Sequence, residues 1–221
     1  MQNIRFDFST LHRHGSAFWE FLALRKKVFV DDLGWDIPHN AEVEMDQYDT
    51  PVAHYSLVMR EGRVVGGARA MPTTAVWGAH TYMLRDAFSG KLPHIPPHVM
   101  QVEIATPHVW ECTRLVISDE LTTQAARSEC LELIVDGLVD TVRAAGADEM
   151  ICLSSLALMR ALRLLGYDVG RIGETYRNGE DGRAYGVLTM PADYSRSRKA
   201  RSRPIPFAPR RAVAGAAEAL G

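Results

Sequence analysis

From Leu11 to Val30, the apolar residues Phe18, Phe21, Leu22, Val28 and Phe29 recur near helical spacing, which predicts one helix over this span. Residues 32–51 lose that rhythm, and Gly34, Pro38, Asn40 and Pro51 mark a long loop. HYSLVMR (54–60) and VVGGARAM (64–71) read as two strands, with Gly62 in the tight turn between them. Residues 75–109 are rich in Pro and His and show no period. WECTRLVIS (110–118) reads as a strand. A long helix follows, with Leu131, Ile134, Leu138 and Val142 three and four apart, ending near Gly146. EMICLSS (149–155) is a buried strand, and LALMRALRLLG a second helix closed by Gly166. YDVGRIGE, the turn NGEDG and AYGVLTM predict a closing hairpin. The order predicts an α/β domain, a mixed sheet flanked by helices in a three-layer sandwich.

Composition narrows the class. The chain has 221 residues, 47% hydrophobic and 24% charged, which suits one soluble domain with a substantial core. No apolar run approaches the roughly 18 residues of a membrane helix, and the N-terminus lacks the apolar core of a signal peptide. Cys112, Cys130 and Cys152 form no CxxC pair. The expectation is a cytoplasmic protein without disulfides, structural zinc or membrane contact. The eight histidines have no paired-ligand spacing, so no metal is expected. Residues 195–221 hold seven bases against one acid, leaving +6 in the tail and −8 in residues 1–194. This predicts a domain over 1–194 and a mobile basic extension over 195–221, with no nucleic-acid partner.

Charge is most uneven in the predicted loop. Between Lys27 and Arg60 lie seven acids (Asp31, Asp32, Asp36, Glu42, Glu44, Asp46 and Asp49) and no Lys or Arg. Read alone, such a segment is a solvated loop latched by Trp35; with a cationic ligand, some of its acids would turn inward. Gly66 and Gly67 read as a bulge or a close strand contact rather than a phosphate cradle.

Four blocks, LRKKVFVDDLGW, EMDQYDT, VVGGARAMPT and WECTRLVI, occur in the order seen in the LuxI-type acyl-homoserine-lactone synthases, which the chain resembles from about residue 5 to residue 190. The element order is likewise similar to the GNAT N-acyltransferase arrangement, in which the sheet splays and a thioester enters the gap. The resemblance implies an acyltransferase of quorum sensing. It would acylate the amine of S-adenosylmethionine, close the lactone and release methylthioadenosine, without a cofactor.

Matched residue by residue, the resemblance implies a substrate site of Arg25, Phe29, Trp35, Asp46, Asp49, Arg69 and Thr113, with Glu111 and Arg114 catalytic. Thr113 stands where a Ser is frequent. The residue types suit the ligand: carboxylates and a Trp face meet a sulfonium, and Arg meets a carboxylate with two parallel hydrogen bonds. Glu111, if buried, would take the amine's proton, and backbone N–H groups at the splay would hold the oxyanion. Arg25 is either a ligand contact or a pin for the acidic loop. Arg114, three residues from Glu111 on a strand, faces the opposite side unless a bulge intervenes, and is either functional or an anchor. Asp36, Glu42 and Glu44 are left to solvent.

Leu115, Ile117, Cys152, Leu153 and Leu156 are expected to line the acyl pocket, with ordinary core as the alternative. Cys152 stands where many relatives preferring 3-oxo chains carry Thr. Arg160, Arg163 and Arg171 are candidates to dock an acyl carrier protein, with acyl-CoA the alternative donor. The expected state is a monomer or weak dimer. An ordinary acetyl-CoA-dependent N-acetyltransferase is disfavoured by VISDELTTQAARSECL, which has no glycine cradle for pyrophosphate. A non-catalytic sensor would not need to keep Glu111.

Overall fold

A computed structural model describes residues 1–196 and Arg198. Seven strands form one sheet: β1 (Gln2–Asp7), β2 (His54–Arg60), β3 (Arg63–Pro72), β4 (Val109–Ile117), β5 (Glu149–Ser155), β6 (Gly170–Arg177) and β7 (Ala184–Pro191). Their order is β1-β2-β3-β4-β5-β7-β6. All neighbours are antiparallel except β4 and β5, which run parallel. Helix α1 (Ala17–Arg25) packs on one face, and α3 (Gln124–Ala144) and α4 (Leu156–Leu164) on the other, giving three layers. The short α2 (Met83–Phe88) lies with α1.

Helix α3 forms because its apolar residues share one face and its start is capped. The Thr123 side chain accepts the Ala126 N–H at 3.2 Å, and Leu131, Ile134, Leu138 and Val142 are buried on β1 to β4. Gly66 and Gly67 let both helix layers approach β3. A Cβ at Gly66 would sit 2.6 Å from the Cys130 sulfur, and one at Gly67 3.0 Å from the Phe21 ring. They are contact glycines, not a cradle.

Three departures from the pattern matter. The predicted helix over 11–30 is broken into a 3-10 turn (Leu11–His14), α1 and a π-helical stretch (Lys26–Asp32), with Gly15 at φ 56° between the first two. Strand β1 was not expected: QNIRFD has weak alternation and is paired because β2 offers it an edge. Helix α2 lies inside the stretch without a period; its six residues are too few to show one.

The sheet splits in its middle. β4 and β5 pair only from Val109↔Glu149 to Glu111↔Ile151. Beyond that, β4 stays with β3 as far as Ile117, and β5 stays with β7 as far as Ser155. Their facing edges therefore open into a fork.

Of the residues assigned to the basic extension, Ser195 is fully buried, the Arg196 N–H donates to Gly166 O at 3.0 Å, and Arg198 pairs with Asp136. These three lie on the body; residue 197 and residues 199–221 lie outside the described residues. No helix among the described residues is long and apolar enough to cross a membrane.

Candidate active site

The residues beside the fork explain how the acidic loop folds. α1 ends on Arg25, which is fully buried. Its two terminal nitrogens donate to Asp49 at 2.8 and 2.9 Å, and its Nε donates to Glu44 at 2.5 Å. From β3, Arg69 donates to both Asp46 oxygens at 2.6 and 3.2 Å and lies 2.9 Å from Asp49. Its Nε donates to Thr113 Oγ1 at 3.1 Å, across the register pair Arg69↔Thr113. From β4, Arg114 reaches Glu44 at 3.3 Å and Asp46 at 2.7 Å. Three guanidinium groups and three carboxylates thus form one balanced, dry cluster. The Tyr55 hydroxyl adds a hydrogen bond to Asp49 at 3.0 Å.

Arg114 joins this cluster because β4 is irregular. The β3–β4 register shifts between Gly67 and Arg69, and Arg114 has φ 56°. In a regular strand it would face away from Glu111; the bulge turns it to the same side. The expectation that Glu44 faces solvent is overturned: it is fully buried between Arg25 and Arg114. Asp36 and Glu42 are exposed.

The cluster sets the charge states. Burial alone would raise the Asp46 and Asp49 carboxyls, but Arg69 with Arg114 or Arg25 outweighs it and holds both below the usual range. Glu111 is different. Burial pushes its carboxyl up to about 7, against the N–H groups of Leu84 and Met83, which donate at 2.8 and 2.9 Å. Glu111 therefore also anchors the first turn of α2. Sequence reasoning missed that partner because α2 itself was not visible.

A cavity of about 950 Å³ runs through the fork. On the α1 face it is lined by Phe29, Trp35, Asp46, Tyr48, Met83 and Thr113, with Arg114 at the bulge. The rings of Phe29 and Trp35 stack, with centroids 5.0 Å apart and planes 11° apart. On the α3–α4 face the wall is largely apolar, with Leu115, Ile117, Leu131, Cys152, Leu158 and Ala161, and carries Gln124, Arg127 and Ser128 at the start of α3. Arg25, Asp49, Arg69, Glu44 and Glu111 lie behind the wall. Of the expected acyl-pocket residues, Leu115, Ile117, Cys152 and Leu153 line the cavity, Leu153 on the α1 side. Leu156 does not. α4 begins there, and its helical period presents Leu158, Ala161 and Leu165 instead. Burial raises the thiols of Cys112 and Cys152, the latter to about 12, so both line the cavity as neutral groups.

The docking candidates divide. Arg163 donates twice to Val169 O, at 2.9 and 2.6 Å, tying α4 to the start of β6. Arg171 likewise donates to a backbone carbonyl, Gly173 O, at 3.2 Å, and Arg160 is exposed. No group of three or more potential metal ligands occurs among the described residues.

Among known proteins, the family model described as autoinducer synthase matches residues 9–200. An acyl-homoserine-lactone synthase of Acinetobacter nosocomialis is 32% identical over 162 residues, 70% of this chain and 81% of that protein. One from Aeromonas hydrophila is 31% identical over 157 residues, 70% of each. The solved structure of TofI in a ternary complex with an inhibitor and MTA is 26% identical, with a TM-score of 0.68 over 87% of this chain and 92% of that one.

Proposed function

The chain belongs to the autoinducer synthase family, and from that premise we propose how the residues around its forked sheet carry out acyl-homoserine-lactone synthesis. The enzyme transfers an acyl group from a thioester to the amine of S-adenosylmethionine, then closes the lactone and releases methylthioadenosine. The observation that carries the assignment of sites is the cavity that crosses the fork, polar and aromatic on one face and largely apolar on the other.

S-adenosylmethionine occupies the α1 face. Its sulfonium lies against the Asp46 carboxylate and the stacked Phe29–Trp35 pair, since a cation is stabilised by an anion and by an aromatic face. Its carboxylate is met by Arg114, whose guanidinium stands on the cavity wall. Arg25, Arg69 and Asp49 are positioning residues: they hold Asp46 and Arg114 in place and do not border the cavity. The acyl chain lies on the α3–α4 face, and the thioester carbonyl sits at the fork.

The amine must lose a proton before it attacks. Glu111 takes it through one intervening water; each carboxylate oxygen that accepts a backbone N–H keeps a second lone pair. A pKa near 7 suits a base working at neutral pH. The nitrogen then bonds to the thioester carbon, backbone N–H groups on the open strand edges stabilise the oxyanion, and the carbon–sulfur bond breaks as the tetrahedral centre collapses. For lactonisation, a carboxylate oxygen attacks the γ-carbon of its own chain. The bond to sulfur breaks, and methylthioadenosine leaves as a neutral thioether. Because this step is intramolecular, positioning supplies most of its advantage.

The donor is an acyl carrier protein or acyl-CoA, with the exposed Arg160 available to meet an anionic partner and Arg163 and Arg171 each bonded to a backbone carbonyl. The test is to incubate the protein with S-adenosylmethionine and a panel of acyl-carrier-protein and acyl-CoA donors, following methylthioadenosine and lactone by mass spectrometry. Both products are expected with at least one donor; no methylthioadenosine with any donor would overturn the reading.

A further inference from the structure

We propose that Asp181, at the tip of the β6–β7 hairpin, is a positioning residue for S-adenosylmethionine: it latches Trp35 over the substrate cavity. The inference rests on the reading that Trp35 covers that substrate. The motif behind it, Asn178-Gly-Glu-Asp-Gly182, looks in sequence like an ordinary turn.

The turn is held by its own hydrogen bonds. Gly182 has φ 68°, and its N–H donates to Asn178 O at 2.9 Å. The Asn178 N–H donates to Arg183 O at 2.9 Å, and Asn178 Oδ1 accepts the Glu180 N–H at 3.0 Å. Asp181 Oδ1 accepts the Arg183 N–H at 3.0 Å. One carboxylate oxygen is therefore engaged inside the turn, and the other is aimed outward.

That outward oxygen, Oδ2, accepts the Trp35 indole N–H at 3.2 Å and the Tyr185 hydroxyl at 2.7 Å. The Tyr185 ring in turn meets Trp35 edge-on, with centroids 6.1 Å apart. Beside it, Glu180 Oε1 accepts the Asp36 N–H at 2.9 Å. The hydrogen bonds to Asp181 outweigh its partial burial and hold its carboxyl below the usual range, so the acceptor is an anion at neutral pH.

The two sides of this contact also form two sides of the cavity. Trp35, Asp36, Ile37 and Pro38 line it from the loop, and Tyr176, Asn178, Glu180 and Tyr185 from the hairpin. Phe29 fixes one face of the Trp35 ring by stacking, but stacking leaves the ring free to slide in its plane. The hydrogen bond to Asp181 fixes that remaining freedom. Trp35 is only half-buried, so its position depends on both contacts. Asp181 thus acts on the substrate through Trp35.

The experiment compares the full chain with Asp181→Ala and Asp181→Asn. Affinity for S-adenosylmethionine is measured at equilibrium by calorimetry, and KM and kcat are measured with a saturating acyl donor. Losing a hydrogen bond to a charged acceptor should weaken S-adenosylmethionine binding roughly tenfold in Asp181→Ala. KM for that substrate should rise in step, with kcat within about twofold and donor KM unchanged. Asp181→Asn keeps one of the two oxygen acceptors and should recover part of the affinity. Unchanged affinity in Asp181→Ala overturns the latch, as does Asn behaving no better than Ala. A fall in kcat with both KM values unchanged also overturns it, because that pattern marks general damage rather than weaker substrate binding. If the unaltered protein makes no lactone with any donor, the synthase reading fails while the affinity comparison still judges the latch.

Discussion

The acidic segment is fixed at two places that differ in kind. From Glu44 to Asp49 its carboxylates sit in a dry cluster with Arg25, Arg69 and Arg114. At Trp35 and Asp36 it is held by a ring stack and two hydrogen bonds to a hairpin tip at the surface. Charges taken out of water must all be paired, so the cluster is close to all-or-none. Partly exposed contacts are weaker and separable, so each contact at the Trp35 end should be removable on its own without unfolding the other end.

The largest effect should come from breaking that dry end. Arg69→Ala leaves Asp46 and Asp49 each short of a partner and should cost about 3–5 kcal/mol of unfolding free energy, read by urea denaturation. A loss below about 1 kcal/mol would mean that the cluster is as wet as the latch.

The next test separates two acids of the same cluster. Asp46 borders the cavity, whereas Asp49 stands behind it. Asp46→Asn should weaken S-adenosylmethionine binding by about tenfold or more. Asp49→Asn should lower stability more than it lowers affinity, because its partners are Arg25, Arg69 and the Tyr55 hydroxyl. Equal affinity losses in the two variants would remove the distinction between wall and support.

Glu111 sharpens the comparison through pH. Its carboxyl is raised to about 7 by burial, whereas the clustered carboxyls are held low by arginines. As a base it must be ionised, so kcat/KM for S-adenosylmethionine should climb with an apparent pKa of about 7. Stability should move the opposite way. A carboxyl whose folded pKa exceeds its unfolded value contributes fully below the unfolded value of about 4.5. That contribution is lost as pH rises through about 7. A flat rate profile across that range would sink the assignment of Glu111 as the base.

How much of this was visible in the sequence depends on whether a feature is local. α3 was legible because its apolar stripe and its terminal Gly146 lie along one segment. The expected mixed, splayed sheet is present, since β4 and β5 carry strong apolar runs. The change of winding after Arg25 was not legible, because the same apolar residues suit a regular helix and only bonds such as Leu33 N–H to Val28 O, five residues back at 3.1 Å, mark the π-helical stretch. Arg114 faces the Glu111 side only because of the bulge at φ 56°, which its residue type does not announce. Asp181 was invisible as a site: its partner Trp35 is 146 residues away.

Glu42 and Glu44 compress the lesson into two positions. They are the same residue type, two apart, in a segment without a regular period, and nothing local tells them apart. Glu44 is pulled inward because its N–H donates to Leu22 O at 3.2 Å, which brings its carboxylate between Arg25 and Arg114. Glu42 sits in a turn in which Asn40 Oδ1 accepts the N–H groups of residues 42 and 43, and its side chain points to water. Glu42→Gln should therefore change unfolding free energy by no more than about 0.5 kcal/mol and leave S-adenosylmethionine affinity unchanged. This is the smallest effect expected anywhere in the segment. A clear loss in either measurement would show that the exposed stretch between the two anchors is part of the site, and that the segment acts as one unit rather than as two separately held ends.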